Sequence, residues 1–286
     1  MSDIKKLLSC FILSAGMYVL LACNEGSSRN FPTPPEYDLN HPVKIILPTE
    51  LDEISGIVYY AKDTSIFAIS DATGWLYKIF PDKRKDIEKW KFGKNHDYED
   101  LQLVDSTFYI LSSNGNILSC KFYSPDSFEM KIFEFPDKGK NEFESLYFDK
   151  TSGQLNLICK NCKDDNKSSV SVRSFNPATQ SYAPDSFTIN VSSIDKQMNE
   201  KKIKFRPSAA TINPLTNELF IISSVNSALV IADKNGNVKK VYPLKSSIYR
   251  QPEGITFTSS GDLLISNESN KESPADILVI KLKRRT

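Results

Sequence analysis

Apolar residues come along this chain in one long run and then in many short ones. The long run covers residues 7–22. After it, runs of four to eight apolar or alternating positions recur, each cut by a turn signal such as Lys62-Asp63, Thr151-Ser152-Gly153, Asn213-Pro214 or Ser260-Gly261. Short runs bounded in this way predict strands. Several, such as Leu219 to Ile222, are apolar at every position, as in strands covered on both faces.

The strands repeat as a group. Five segments share one start: EISGIVYY with Glu53, YEDLQLV with Glu99, FESLYFD with Glu144, RPSAATI with Ser208 and PEGITFT with Glu253. Their spacings are 46, 45, 64 and 45 residues. A second strand follows each start, over 65–70, 108–112, 154–159, 218–223 and 262–266. Third strands are expected at 75–80, 117–122, 170–175, 228–232 and 277–282, with weaker fourth strands at 87–91, 130–135, 186–190 and 238–242. Four strands per unit of about 45 residues is the period of a β-propeller blade. The pattern thus predicts an all-β propeller of four-stranded antiparallel blades, with five blades favoured. The unpaired early run 43–47 is placed as the outer strand of the last blade, closing the ring. The polar stretch 193–202 in the long unit is an insertion, and a sixth blade there stays open. A β-sandwich is the alternative architecture, but sandwiches rarely repeat one start motif.

The start segments EISGI, DYEDL (residues 97–101), EFESL (142–146), RPSA (206–209) and PEGI (252–255) resemble the motifs of the SdiA-regulated, YjiK-like family, over roughly residues 47–282. The resemblance implies a propeller of the bacterial envelope whose activity is not established. It also implies calcium binding. Ser208 stands where a fourth-blade Glu would complete the series.

The long apolar run changes the picture of location. Lys5 and Lys6 precede it, it is too short to span a bilayer, and it ends Leu20-Leu21-Ala22-Cys23. This resembles a bacterial lipobox, in which the Cys is lipidated and becomes the first mature residue. The expected organisation is a signal peptide over 1–22, lipidated Cys23 with a flexible Pro- and Ser-rich tether over 23–40, and the propeller over 41–286. The membrane is then a partner through the anchor, with the outer membrane favoured and the leaflet open.

Charge adds less. The 286 residues carry 36 basic and 35 acidic side chains, and removal of 1–22 leaves 34 of each. No global field favours nucleic acid. The distribution matters more than the sum. Innermost propeller strands run in parallel along the channel, so Glu53, Glu99, Glu144, Ser208 and Glu253 are expected to form a ring at one mouth. Second-strand ends return to the same mouth and bring Asp71, Asn114, Asn161, Asn226 and Glu268. Crowded carboxylates need protonation, a neighbouring base such as Arg206 or Arg250, or a cation. Oxygen donors without thiolate or imidazole favour Ca²⁺ over zinc. The metal ligands expected are Glu53, Glu99, Glu144 and Glu253, with Asp71, Asp97, Arg206, Ser208 and Glu268 binding ligand. Local capping of strand ends is the competing reading of the same residues.

Two functions follow. One is a monomeric binding module for a small ligand or envelope protein. The other is a metal-dependent hydrolase, such as a lactonase, phosphoesterase or phytase, with His96 or Asp97 as base. Cys159-Lys160-Asn161-Cys162 admits a disulfide across a hairpin or two unlinked cysteines, and Cys120 reads as core. The tail KLKRR, from Lys281 to Arg285, reads as a solvated terminus.

Overall fold

The computed structural model describes residues 30–81, 86–124, 127–184, 187–198 and 204–283. The expected signal peptide and Cys23 lie outside the described residues. So do Ser186, residues 199–202 of the insertion, Arg284 and Arg285.

The strand order is that of a propeller with five blades. After β1 (Val43–Ile46), the first blade comprises β2 (Ile54–Tyr60), β3 (Ser65–Ser70), β4 (Thr73–Ile79) and β5 (Ile87–Lys91). The second comprises β6 (Tyr98–Val104), β7 (Thr107–Ser112), β8 (Ile117–Ser124) and β9 (Ser127–Phe133). The third comprises β10 (Phe143–Asp149), β11 (Gln154–Cys159) and β12 (Ser169–Asn176), with two short strands, β13 (Ser181–Tyr182) and β14 (Phe187–Asn190), both paired to β12. A helix, α1 (Ser192–Met198), begins the insertion, which forms no blade among the described residues. The fourth blade is β15 (Ala209–Ile212), β16 (Leu219–Ser223), β17 (Ala228–Ala232) and β18 (Val238–Pro243). The fifth is β19 (Pro252–Phe257), β20 (Leu263–Asn267) and β21 (Asp276–Ile280), completed on its outside by β1.

That last pairing closes the ring. β1 runs antiparallel to β21, with Val43 opposite Val279 and Ile46 opposite Asp276. One blade is therefore built from both ends of the domain. The innermost strands β2, β6, β10, β15 and β19 neighbour one another in a complete circle.

The core lies between blades, which explains the uninterrupted apolar runs. In β3, Ile66 and Ala68 pack with Leu264 and Ile277 of the fifth blade. Phe67 and Ile69, on the opposite face, pack with Leu101, Ile110 and Leu118 of the second. Strand residues alternate between faces, and here each face meets a neighbouring blade. Outer strands have no such cover: β9 is exposed along almost its whole length.

One boundary differs from the sequence reading. The tether was expected to run to residue 40, but 31–40 pack onto the propeller. Tyr37 and Leu39 are buried among Phe220, Phe257 and Leu263, on the fourth and fifth blades. The Tyr37 hydroxyl donates to the Gly261 carbonyl at 2.8 Å, and the Tyr249 hydroxyl to the Leu39 carbonyl at 2.9 Å. Two large apolar side chains in a Pro-rich segment supply the burial that a free tether lacks.

Candidate functional site

Four of the five inner strands, β2, β6, β10 and β19, start with a β-bulge, and the bulge aims the site. In β6, Tyr98 pairs with Ser112 and Asp100 with Leu111, so Glu99 has no partner in the ladder. Glu144 is skipped in the same way between Phe143 and Ser145, and Glu253 between Pro252 and Gly254. An extra residue in a bulge is unpaired and re-aimed. Here it points to the channel mouth.

The bulge also corrects the first blade. The register shifts between Ile54 and Ile57, so the equivalent of Glu99 is Ser55 and not Glu53. Hydrogen bonding agrees. The Ser55 hydroxyl donates to the Tyr98 carbonyl of the next inner strand at 3.0 Å, and the Ser208 hydroxyl to the Pro252 carbonyl of its own next strand at 2.8 Å. The inner ring is thus Ser55, Glu99, Glu144, Ser208 and Glu253. Glu53 lies two residues earlier, on an exposed rim. Its carbonyl accepts from the Asp71 amide, as the carbonyls of Asp97, Glu142 and Gln251 accept from Ser113, Lys160 and Glu268. Glu53 is therefore the counterpart of Asp97 and Glu142. The motif EISGI shares its Gly-Ile end with PEGI, and aligning on that end recovers the offset.

The second-strand ends shift by one residue in the second and third blades and by two in the fourth. The position that returns to the mouth holds Asp71, Ser113, Lys160, Ser224 and Glu268, not Asn114, Asn161 and Asn226. Asn114 satisfies its local turn, and Asn226 accepts from the Ser223 hydroxyl of its own turn and from the Arg206 amide of the segment that enters the fourth blade. Asn161 donates to the Glu142 carboxylate at 3.1 Å.

Together these rings enclose a cavity of about 280 Å³ lined by Ser55, Asp71, Asp97, Glu99, Glu142, Glu144, Lys160, Glu253 and Glu268. Seven of the nine side chains are carboxylates and one is an amine. Lys160, which the sequence reading passed over, supplies the counter-charge. It pairs with the Glu144 carboxylate and stands 3.6 Å from that of Glu142. The two arginines do not take this part. Arg250 bonds the buried Asp276 at 2.9 Å, and Arg206 faces a separate cavity with Lys204 and Met198. Among the lining residues the fourth blade contributes none, so the acidity is concentrated on the other four.

One lysine does not offset seven carboxylates, and burial leaves several preferring the neutral form. Burial, then the charge of Asp97, pushes Glu99 up to about 8. Burial, then Glu253, Asp71 and Glu53, does the same for Glu268, also to about 8. Burial raises Glu253 to about 7, against the pull of Lys160 and a hydrogen bond from Ser224. Asp71 is raised by burial and by Glu53. One of its oxygens, Oδ1, is buried without a partner. Next to Glu99 on β6, Asp100 is buried and accepts the amides of Leu101 and Leu146 at 2.8 and 2.7 Å. It links the second and third blades and faces no solvent.

A stability prediction arises here. Glu99, Glu253 and Glu268 hold their protons more tightly folded than unfolded. Their contribution to stability is therefore complete below about pH 4 and is lost as pH rises through 7 to 8. The metal-free protein is expected to melt several degrees lower at pH 8.5 than at pH 5.5, at about 2–4 °C per kcal/mol for a domain of this size. A flat profile by circular dichroism would mean that the carboxylates are solvated.

Glu53, Asp71 and Glu268 offer oxygen atoms that all lie within 4.8 Å of one another. They come from the first and last blades, beside the closure of the ring. His96 is not part of the cavity. It is exposed, and its Nδ1 accepts the Asp97 amide. Asp97 does line the cavity. Cys159 and Cys162 form a disulfide, and Cys120 is a buried free thiol.

Residues 181–286 match the family model described as SdiA-regulated. The match holds RPSA, PEGI, the fourth blade and the fifth blade except β1, and EISGI, DYEDL and EFESL lie before it. No curated protein matches the sequence. Solved propellers share the fold. A Myxococcus xanthus glutaminyl cyclase aligns with TM-score 0.58 at 14% identity, over 85% of this chain and 97% of its own. A glucose dehydrogenase aligns with TM-score 0.55 at 8% identity, over 85% and 100%. A luciferin-regenerating enzyme aligns with TM-score 0.52 at 10% identity, over 84% and 95%. At such identities the likeness is one of fold.

Proposed function

We propose that this protein is a lipid-anchored propeller of the bacterial cell envelope that acts as a binding module, with Ca²⁺ held at its acidic channel mouth. The observation that carries the cation is the cluster of Glu53, Asp71 and Glu268. Three carboxylates within 4.8 Å repel unless something positive joins them. The amine of Lys160 is committed to Glu144 and Glu142, on the third blade. The partnerless Oδ1 of Asp71 has a lone pair to give. An all-oxygen donor set suits a hard cation of flexible coordination. When bound, Ca²⁺ would supply a fixed positive charge to which an anionic or hydroxylated group of a small ligand or envelope protein binds. Glu99 and Glu253, which line the same cavity, stay available to position that group.

The binding reading is preferred to the hydrolase because the stronger base candidate, His96, is outside the cavity. Asp97 keeps the enzyme as a second reading. The anchor belongs to Cys23, and the outer membrane is its favoured location. The domain carries its own closed ring, and we take it to act as a monomer.

Calorimetry on chelator-treated full chain tests the cation. One Ca²⁺ is expected to bind with measurable heat and to raise the melting temperature, by an amount set by RT ln(1 + [L]/Kd). Asp71→Asn and Glu268→Gln are each expected to weaken it about tenfold or more. No heat and no melting shift would end this reading. Turnover of lactone or phosphoester panels, lost in Glu99→Gln, would favour the hydrolase instead.

A further inference from the structure

Lys160 and the disulfide around it act as one device. Cys159 ends β11, and the bridge to Cys162 joins Cα atoms 6.0 Å apart across only Lys160 and Asn161. A bridge over so short a loop removes little freedom from the unfolded chain compared with one spanning tens of residues. Its consequence is local. Both sulfur-bearing residues are buried, which fixes the two ends of the loop. The loop between them grips one acidic segment. The amides of Lys160 and Asn161 donate to the Glu142 carbonyl at 2.8 and 3.1 Å. The Lys160 amine pairs with Glu144 and approaches Glu142. The Asn161 side chain donates to Glu142 and accepts from Lys204 at 2.6 Å. Lys160 is the one cation among the residues that line the cavity.

We propose that the Cys159–Cys162 disulfide is a redox clasp that holds Lys160 at the channel mouth as a built-in counter-ion, and that reduction releases the lysine and tightens divalent-cation binding. The proposal rests on the cation-binding reading above. The chemistry is a two-electron exchange with a dithiol. The thiolate of the dithiol attacks one sulfur, the S–S bond breaks and a mixed disulfide forms. The second thiol of the dithiol then closes its own disulfide. Cys159 and Cys162 leave as two thiols, and the two protons come from the dithiol. Without the bond, residues 160 and 161 are held by part-buried hydrogen bonds to Glu142 and Lys204 and by the ion pairs of Lys160 with Glu144 and Glu142. Withdrawal of one positive charge from among seven carboxylates strengthens the field on a second cation.

The test compares the full chain, oxidised and dithiothreitol-treated, in two measurements. The first is Ca²⁺ affinity by calorimetry. Reduction is expected to tighten binding about three- to tenfold. Lys160→Met is expected to bind at the tighter level in both redox states. Equal affinity in the two states of the wild type, or a redox effect that persists in Lys160→Met, would overturn the clasp. The second measurement needs no metal. Acetylation of Lys160, followed by mass spectrometry, is expected to quicken several-fold on reduction while Lys234, paired with Asp149, keeps its rate. If neither redox form binds Ca²⁺, the cation reading fails and the acetylation rates alone judge the clasp, with equal rates counting against it. Should reduction unfold the chain, the Cys159→Ala/Cys162→Ser variant replaces the reduced form in both measurements.

Discussion

Gly56→Val is expected to cost at least about 3 kcal/mol, enough to lower the melting temperature by roughly 10 °C in a domain of this size. Gly56 lies on β2, where the inner strands of the first and second blades come closest. A Cβ there would sit 2.5 Å from the Asp100 carboxylate, 2.6 Å from its Cα and 2.7 Å from the Leu101 amide nitrogen. Two of these three atoms belong to backbone, which cannot swing away. Accommodating them means parting β2 from β6, and the apolar layer between the two blades depends on that approach. Asp100 would also be pushed off the Leu146 amide that it accepts at 2.7 Å. Thermal unfolding by circular dichroism measures the loss. Gly153→Ala is the control: Gly153 has φ +70° but no atom within 4 Å of a Cβ, so only backbone strain of about 1 kcal/mol is expected. A Gly56→Val protein that melts with the wild type would show that the inner ring is loose.

The second large effect is expected far from the acidic mouth. Tyr37→Ala should cost about 3–5 kcal/mol, as large aromatic truncations in cores do. The ring is 1% exposed and packs edge-on to Phe220, centroids 6.2 Å apart, and against Phe257 at 6.1 Å. Its hydroxyl donates to the Gly261 carbonyl and accepts from Asn213 at 3.2 Å. Tyr37→Phe keeps the ring and leaves both partners unpaired, at about 1–3 kcal/mol. Tyr37 also forms a bridge to Leu282, and the Lys283 amide donates to Glu36. Its loss therefore loosens both ends of the domain together. If Tyr37→Ala melted like the wild type, residues 31–40 would be the free tether that their composition suggests.

These two positions mark where reading the chain succeeded and where it stopped. Strands such as 65–70, 154–159 and 228–232 were legible to the residue, because each face of an inner blade strand meets a neighbouring blade and stays apolar. The outer-strand role of 43–47 was legible for a similar reason: a strand without a unit of its own must pair somewhere. Tyr37 was not legible, since two apolar residues among prolines form no periodic pattern. Within the start motifs the glycine and the acid have separate causes. Gly56 and Gly254 answer to close backbone approach, while Glu99, Glu144 and Glu253 answer to the bulge. Reading the motif as one chemical unit placed Glu53 in the ring that Ser55 occupies.

By itself, then, the sequence determined the repeat, five blades as the favoured count and the gathering of acidic residues at one mouth. Each depends on periodicity, which local patterning encodes. The helical start of the insertion settled the count only in the tertiary structure. Tertiary structure decided which carboxylates converge. A shift of one or two residues at a bulge or hairpin end moves a side chain from the cavity to the rim, and nothing periodic records it. That shift put Lys160 among the acids in place of Asn161, set Glu53 beside Asp71 and Glu268, and left Arg206 and His96 outside.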